Sequence, residues 1–219
     1  MIEASLAGRR AFILENTRLQ APPYTPELRL HLADEVTPMW MLTEEALAKI
    51  GLPPPFWAFA WAGGQALARY ILDHPGIVAG KRVIDFASGS GLVAIAAMKA
   101  GAASVLAADI DVFCEGAIGL NAQANGVEVA FTDANLLNAP PPATDVLLAG
   151  DICYERPMAE AVMIWLTQAR ATGAAVLIGD PGRAYFPKGS LHKLADHDVP
   201  TTRELEGMTV KRTSVWALP

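Results

Sequence analysis

Asp85-Phe86-Ala87-Ser88-Gly89-Ser90-Gly91-Leu92 places a carboxylate at the end of an apolar run and two glycines just beyond it. Glycine has no side chain, so such a loop turns tightly and lets a ligand approach the backbone closely. A carboxylate beside the loop suits a cationic or hydroxyl-rich ligand better than a pyrophosphate. S-adenosylmethionine meets that description, with a positive amino group and a sulfonium. An ordinary strand-turn-helix with small turn residues is the competing reading, because a lone glycine motif is weak evidence.

Further acidic residues close the later apolar runs. Asp109 stands 20 residues after Gly89, where a carboxylate can accept both hydroxyls of a ribose. Asp111 competes for that role or caps the next helix. Asp133, with Asn135 beside it, can take an adenine amino group or bond its own turn. Asp151, Tyr154 and Glu155 follow the fourth run, and Asp180 and Arg183 the fifth. A nicotinamide-dependent oxidoreductase is the rival. Gly89-Ser90-Gly91-Leu92-Val93-Ala94 fits a loose G-x-G-x-x-A with an acidic residue at the expected distance. Against it, Asp85 would set a negative charge near the phosphates, and a structured segment precedes the motif.

The elements that position these residues follow from periodicity. The spacing predicts helices over 62–72, 92–99, 114–125 and 157–171. It predicts strands over 82–86, 104–108, 127–131, 146–149 and 174–178. A short helix is expected around Leu191 and Leu194, then two closing strands, 199–205 and 209–218, joined at Glu206-Gly207. Alternation at this length implies an α/β, doubly wound, mainly parallel sheet, and the closing pair adds an antiparallel C-terminal strand. Ligands of such sheets bind beyond the carboxyl ends of the strands, where the acidic residues gather. Residues 1–56 read as an irregular N-terminal arm on the core, carrying Pro22-Pro23, Pro26, Pro38 and Pro53-Pro54-Pro55. The core domain spans 57–219.

Composition sets limits. The chain has 219 residues, 52% of them hydrophobic, enough to bury roughly 70% of the unfolded surface. A net charge of −6 argues against nucleic-acid binding. Cys114 and Cys153 form neither a disulfide framework nor a metal pattern, so no metal is expected and a reducing, cytoplasmic setting is. No run reaches the ~18 apolar residues of a membrane span. Oligomeric state is not legible.

Asp85 to Gly91 followed by Ala108-Asp109-Ile110-Asp111 resembles a seven-strand, Rossmann-like class I S-adenosylmethionine-dependent methyltransferase. Pro55-Phe56-Trp57-Ala58-Phe59-Ala60-Trp61-Ala62-Gly63-Gly64-Gln65 and Asp151-Ile152-Cys153-Tyr154 are similar to the protein lysine methyltransferases marked by a Trp-x-Gly-Gly-type segment and a D-x-x-Y motif. Within these, the chain resembles the electron transfer flavoprotein beta subunit lysine methyltransferases and their bacterial relatives. Asn16-Thr17 and Pro26-Glu27-Leu28-Arg29-Leu30-His31-Leu32 resemble the same group, so the likeness spans nearly the whole chain. One departure is Ala87, where many members carry glycine.

The resemblance implies that Trp61, Gly63, Gly64, Asp85, Gly89 and Gly91 line the cofactor and that Asp109 holds its ribose. It implies that Asp151 and Tyr154 flank a substrate lysine. Asp151 then orients the ammonium, and Asp151→Asn is expected to cut turnover while sparing cofactor affinity. Trp57 reads as core packing, four residues from Trp61 on one helical face. The implied substrate is a protein, the flavoprotein beta subunit or, as the alternative, a ribosomal protein. DNA amino-methylating enzymes use an acidic-Pro-Pro-aromatic loop at this place, but Ile152-Cys153 replaces the prolines. A non-enzymatic protein retaining a dead cofactor fold finds no broken motif to support it.

Overall fold

A computed structural model describes residues 5–34 and 54–219. Pro38 and Pro53 of the expected arm lie outside the described residues. The arm opens with helix α1 (Leu6–Asn16), followed by two short antiparallel strands, β1 (Arg18–Gln20) and β2 (Leu30–Leu32). A 3-10 turn (Phe56–Ala58) leads to α2 (Ala62–Asp73). The core then alternates β3 (Arg82–Phe86), α3 (Leu92–Lys99), β4 (Ser104–Ala108), α4 (Phe113–Asn125) and β5 (Ala130–Thr132). It continues with β6 (Val146–Gly150), α5 (Arg156–Ala171) and β7 (Ala175–Asp180). It closes with β8 (His192–Pro200), the single turn α6 (Arg203–Glu206) and β9 (Val210–Ala217).

The large sheet has the order β5-β4-β3-β6-β7-β9-β8. Neighbours from β5 to β7 are parallel, and β9 runs antiparallel to both β7 and β8. Strand order reverses between β3 and β6, which opens a crevice at their carboxyl ends. Alternate residues serve opposite faces, as the two-residue strand period requires. Val83, Val105, Val146, Leu148 and Leu177 pack with α2, α3 and α4. Ile84, Leu147, Ala149, Val176 and Ile178 pack with α5. Parallel strands covered on both sides must be apolar along their length, which is why these runs stand out in the sequence.

The arm packs along α4. Phe12 and Phe113 meet edge-on at 5.7 Å, and Arg9 pairs with Glu115 at 2.6 Å. Asn121 on α4 accepts the His31 N–H at 2.6 Å and donates to the Ser90 carbonyl at 2.8 Å. One buried amide thus ties the arm to the glycine loop.

Three expected elements are corrected. The third strand begins at Ala130 rather than 127, because Gly126 and Val127 still bond back to the last turn of α4 and pairing with β4 starts at Leu106↔Ala130. Leu191 and Leu194 do not form a helix: His192–Pro200 pairs with β9. Their three-residue spacing reads as helical, but cross-strand pairing overrides it. The strand expected over 199–205 stops at Pro200, where Thr202 caps Leu205 and left-handed Gly207 ends α6. Trp57 and Trp61 also do not share a helical face. Trp57 lies in the 3-10 turn, stacked on Phe113 at 5.9 Å, and Trp61 is the residue before α2. No described helix is long and apolar enough to cross a membrane.

Candidate active site

The loop after β3 is built on three left-handed residues, Ala87 (φ 53°), Gly89 (φ 53°) and Gly91 (φ 81°). A β-carbon at Gly91 would also sit 3.0 Å from the Ile118 side chain, so glycine is needed there for conformation and for space. Asp85 lies beneath the loop, 1% exposed. Its Oδ2 accepts the Ser88 hydroxyl at 2.5 Å and the Ala94 N–H at 3.0 Å. Burial outweighs both bonds and pushes its carboxyl up to about 7. Through these bonds Asp85 fastens strand end, loop and first turn of α3 from below.

Asp109 directly follows β4 and is half-buried. One oxygen accepts the Gly89 N–H at 2.9 Å, the other the Asp111 N–H at 3.0 Å. A carboxylate offers about four acceptor positions, so about two remain for hydroxyls. Asp111 caps α4 by accepting the Phe113 N–H at 2.9 Å, and burial pushes its carboxyl up to about 6. Ile110 beside them is 70% exposed and offers an apolar surface. Asp133 is exposed after β5 with no hydrogen bond among the described residues. Asn135 is occupied as a cap on Leu137 at 3.1 Å.

The start of α2 is held by carboxylates far away in sequence. A helix leaves its first N–H groups without partners, and Trp61 supplies no side-chain cap. Asp151 Oδ2 accepts the Gly63 N–H and, at 3.2 Å, the Gly64 N–H. Glu206 Oε1 accepts the Ala62 N–H at 3.5 Å. Arg183 joins the two acids: its Nε and Nη2 donate to Asp151 Oδ1 at 2.9 and 2.7 Å, and its Nη1 and Nη2 to Glu206 at 3.1 and 2.9 Å. The same guanidinium lies 5.9 Å from the Trp61 ring centre. Asp151 is 8% exposed with φ 56°. Burial pushes its carboxyl up to about 6 in spite of Arg183.

Glycines let α2 settle backbone-to-backbone on the ends of β6 and β7. A β-carbon on Gly63 would strike the Gly179 carbonyl and lie 2.5 Å from Asp151 Oδ2. One on Gly150 would lie 2.9 Å from the Gly64 Cα. An aromatic wall stands beside this junction. The Phe56 ring is 5.9 Å from Trp61 and 5.8 Å from Tyr154, which is 42% exposed.

Comparison with known proteins places this geometry. Residues 65–154 match the family model described as ribosomal protein L11 methyltransferase (PrmA). The fold is similar to the ribosomal protein L11 methylase of Lactobacillus delbrueckii subsp. bulgaricus, with a TM-score of 0.52 at 24% identity over 74% of this chain and 80% of that one. It is similar to magnesium protoporphyrin IX methyltransferase from Synechocystis PCC 6803 with bound SAM, with a TM-score of 0.52 at 15% identity over 71% and 78% of the two chains. The electron transfer flavoprotein beta subunit lysine methyltransferase of Rattus norvegicus is 36% identical over 94% of this chain and 83% of its own length. The chain belongs to that lysine methyltransferase family.

It is thus an S-adenosylmethionine-dependent protein lysine methyltransferase acting on a protein substrate. In this family member the structure brings Trp61, Gly63, Gly64, Asp151 and Tyr154 together, and Gly89 with Asp109. Asp85 is buried below its loop, and Asp133 stands at the far end, after the edge strand β5. Sequence reasoning missed Glu206, read there as part of a turn, and saw Arg183 without its partners. A positive residue after one strand and an acid 23 residues later carry no joint signal until the sheet pairs them.

Proposed function

We propose that this methyltransferase modifies lysines of the electron transfer flavoprotein beta subunit. The observation that carries the reading is likeness over 94% of the chain, arm included, to enzymes named for that substrate. The cofactor residues fit S-adenosylmethionine: left-handed Gly89 and Gly91 bare the loop backbone, and Asp109 has acceptor positions left for a ribose. Asp133 is free to take the adenine amino group. Trp61, Gly63 and Gly64 line the methionine side, and Asp85 keeps the loop in shape. When bound, the cofactor supplies a methyl group on a sulfonium, whose departure as a neutral thioether needs no acid.

The protein's remaining work is alignment, worth about 7–11 kcal/mol when complete. Tyr154 and Phe56 form an aromatic channel wall for the lysine stem. Asp151 acts one step back: it fixes the start of α2, and with it Trp61, Gly63 and Gly64, instead of gripping the lysine.

The test is incubation with tritiated S-adenosylmethionine and either purified electron transfer flavoprotein or a ribosomal-protein fraction. Label on the beta subunit supports the reading. Label on ribosomal proteins alone moves the assignment to the second reading, which the L11 methyltransferase match over residues 65–154 favours.

A further inference from the structure

Asp151 has no acceptor position left. Its four are taken by Gly63, Gly64 and two guanidinium N–H groups of Arg183. The adjacent strand ends on another carboxylate. Gly150 and Gly179 are partners in register at the ends of β6 and β7, so Asp151 and Asp180 leave the sheet side by side. Asp180 Oδ1 accepts the N–H groups of Gly182 and Arg183 at 2.6 and 2.9 Å. Its Oδ2 is buried and has no partner among the described residues, and the residue is 2% exposed.

A buried acceptor without a donor is costly, and folded proteins keep few of them. The ionisable groups around it are Asp151 and Cys153 from the β6 side and Arg183 and Lys188 from the segment after β7. Arg183 is already spent on Asp151 and Glu206. Burial pushes the Cys153 thiol up to about 12, so it stays an uncharged, weak donor. An acceptor oxygen in this position suits a cation rich in N–H donors.

We propose, resting on the lysine methyltransferase reading, that Asp180 Oδ2 receives the ammonium of the incoming lysine and takes its proton. A lysine ammonium has three donors and no acceptor, and its apolar stem suits the Phe56 and Tyr154 rings. The proton moves from nitrogen to Oδ2. The freed lone pair forms the N–C bond to the methyl carbon while the C–S bond breaks and its electrons stay on sulfur. Asp180 then releases the proton to solvent water while the path by which lysine entered is open. Burial pushes the Asp180 carboxyl upward, which makes it a better proton acceptor near neutral pH. Because Oδ2 is closed to solvent, lysine entry requires the residues packed over it to give way. Asp180 is then a catalytic residue, and Asp151 a positioning one.

The test is Asp180→Asn, which keeps an oxygen for Gly182 and Arg183. Calorimetry gives cofactor affinity, and single-turnover transfer to the purified flavoprotein is followed from about pH 6 to 9. The expected result is cofactor affinity within about twofold and transfer at least ~100-fold slower, with the rate following free-amine ionisation alone. A transfer rate and pH profile like wild type would overturn the proposal. So would a loss of cofactor affinity as large as the loss in rate. Asp180→Glu serves if the asparagine variant melts early: normal cofactor binding with slowed transfer supports the proposal, and unchanged transfer overturns it. Wild-type protein that labels another protein instead of the flavoprotein refutes the substrate reading alone, and the variants are then measured on the labelled protein. Wild-type protein that labels nothing overturns both.

Discussion

Gly63 and Asp151 are joined across 88 residues of sequence: the Gly63 N–H, in the first turn of α2, donates to the carboxylate that follows β6. The contact fixes the start of a helix to a residue of the D-x-x-Y motif. It gives that motif's acid a partner other than the substrate.

Asp151→Asn is therefore expected to weaken S-adenosylmethionine binding by ~10–100-fold, because the amide cannot serve both the α2 N–H groups and Arg183. Breaking one side of a buried ion pair costs about 3–5 kcal/mol, so melting temperature falls as well. Calorimetry and a thermal melt check this. Slowed turnover at unchanged cofactor affinity would return Asp151 to the lysine.

Gly63 and Gly64 are expected to respond oppositely to alanine. At Gly63 the new methyl meets the Gly179 carbonyl and Asp151, and overpacking of this kind costs about 1–3 kcal/mol. At Gly64 it comes no closer than 3.8 Å to Leu92, and the helix gains up to ~1 kcal/mol of propensity. Denaturant midpoints of the two variants decide it. Equal losses would mean that the fit of α2 on the strand ends is not close-packed.

Ala87→Gly is expected to stabilise the protein by about 0.5–1 kcal/mol. Alanine pays roughly 1–2 kcal/mol at a left-handed position, and φ at Ala87 is 53°, while glycine returns part of that as lost chain entropy. Chemical denaturation measures the sign.

Asp85 links stability to pH. Its folded pKa of about 7 lies above the ordinary value of 3.8, so the folded state binds the extra proton between these limits. Stability contributed by the neutral carboxyl is present below about pH 4 and is lost as pH rises through 7. Asp145 works in the opposite direction at lower pH: Arg82 holds its carboxyl at about 2, so that contribution fades only on acidification below 3.8. The gap in melting temperature between wild type and Asp85→Asn should change between pH 5 and pH 8, with wild type losing ground at the higher value. Parallel curves would mean that Asp85 does not titrate there.

Tyr154→Ala is expected to lower kcat/KM for the protein substrate by ~10–100-fold with cofactor affinity kept, since Tyr154 touches Phe56 and lies 42% exposed. Tyr154→Phe keeps the ring and should retain most activity. A matching loss in both variants would assign the effect to the hydroxyl.

The core strands, the glycine loop and the acids that follow the strands were legible in the sequence because local rules fix them. A strand covered on both faces must be apolar throughout, and a tight turn next to a helix must use small residues. The same rules placed Asp109 and Asp151 at strand ends before any fold was known. Tertiary structure decided what those acids do. Asp85 turned inward because the loop closes over it, and Leu194 joined a strand, with Leu191 just before it, because β9 lies beside that strand. Arg183, Glu206 and the start of α2 come together only when the closing hairpin packs beside β7, and no local spacing records that meeting. Hydrogen-bond saturation is likewise a property of the assembled site: Asp151 is full and Asp180 has an oxygen to spare, a difference that two aspartates at the ends of neighbouring strands cannot reveal by sequence position.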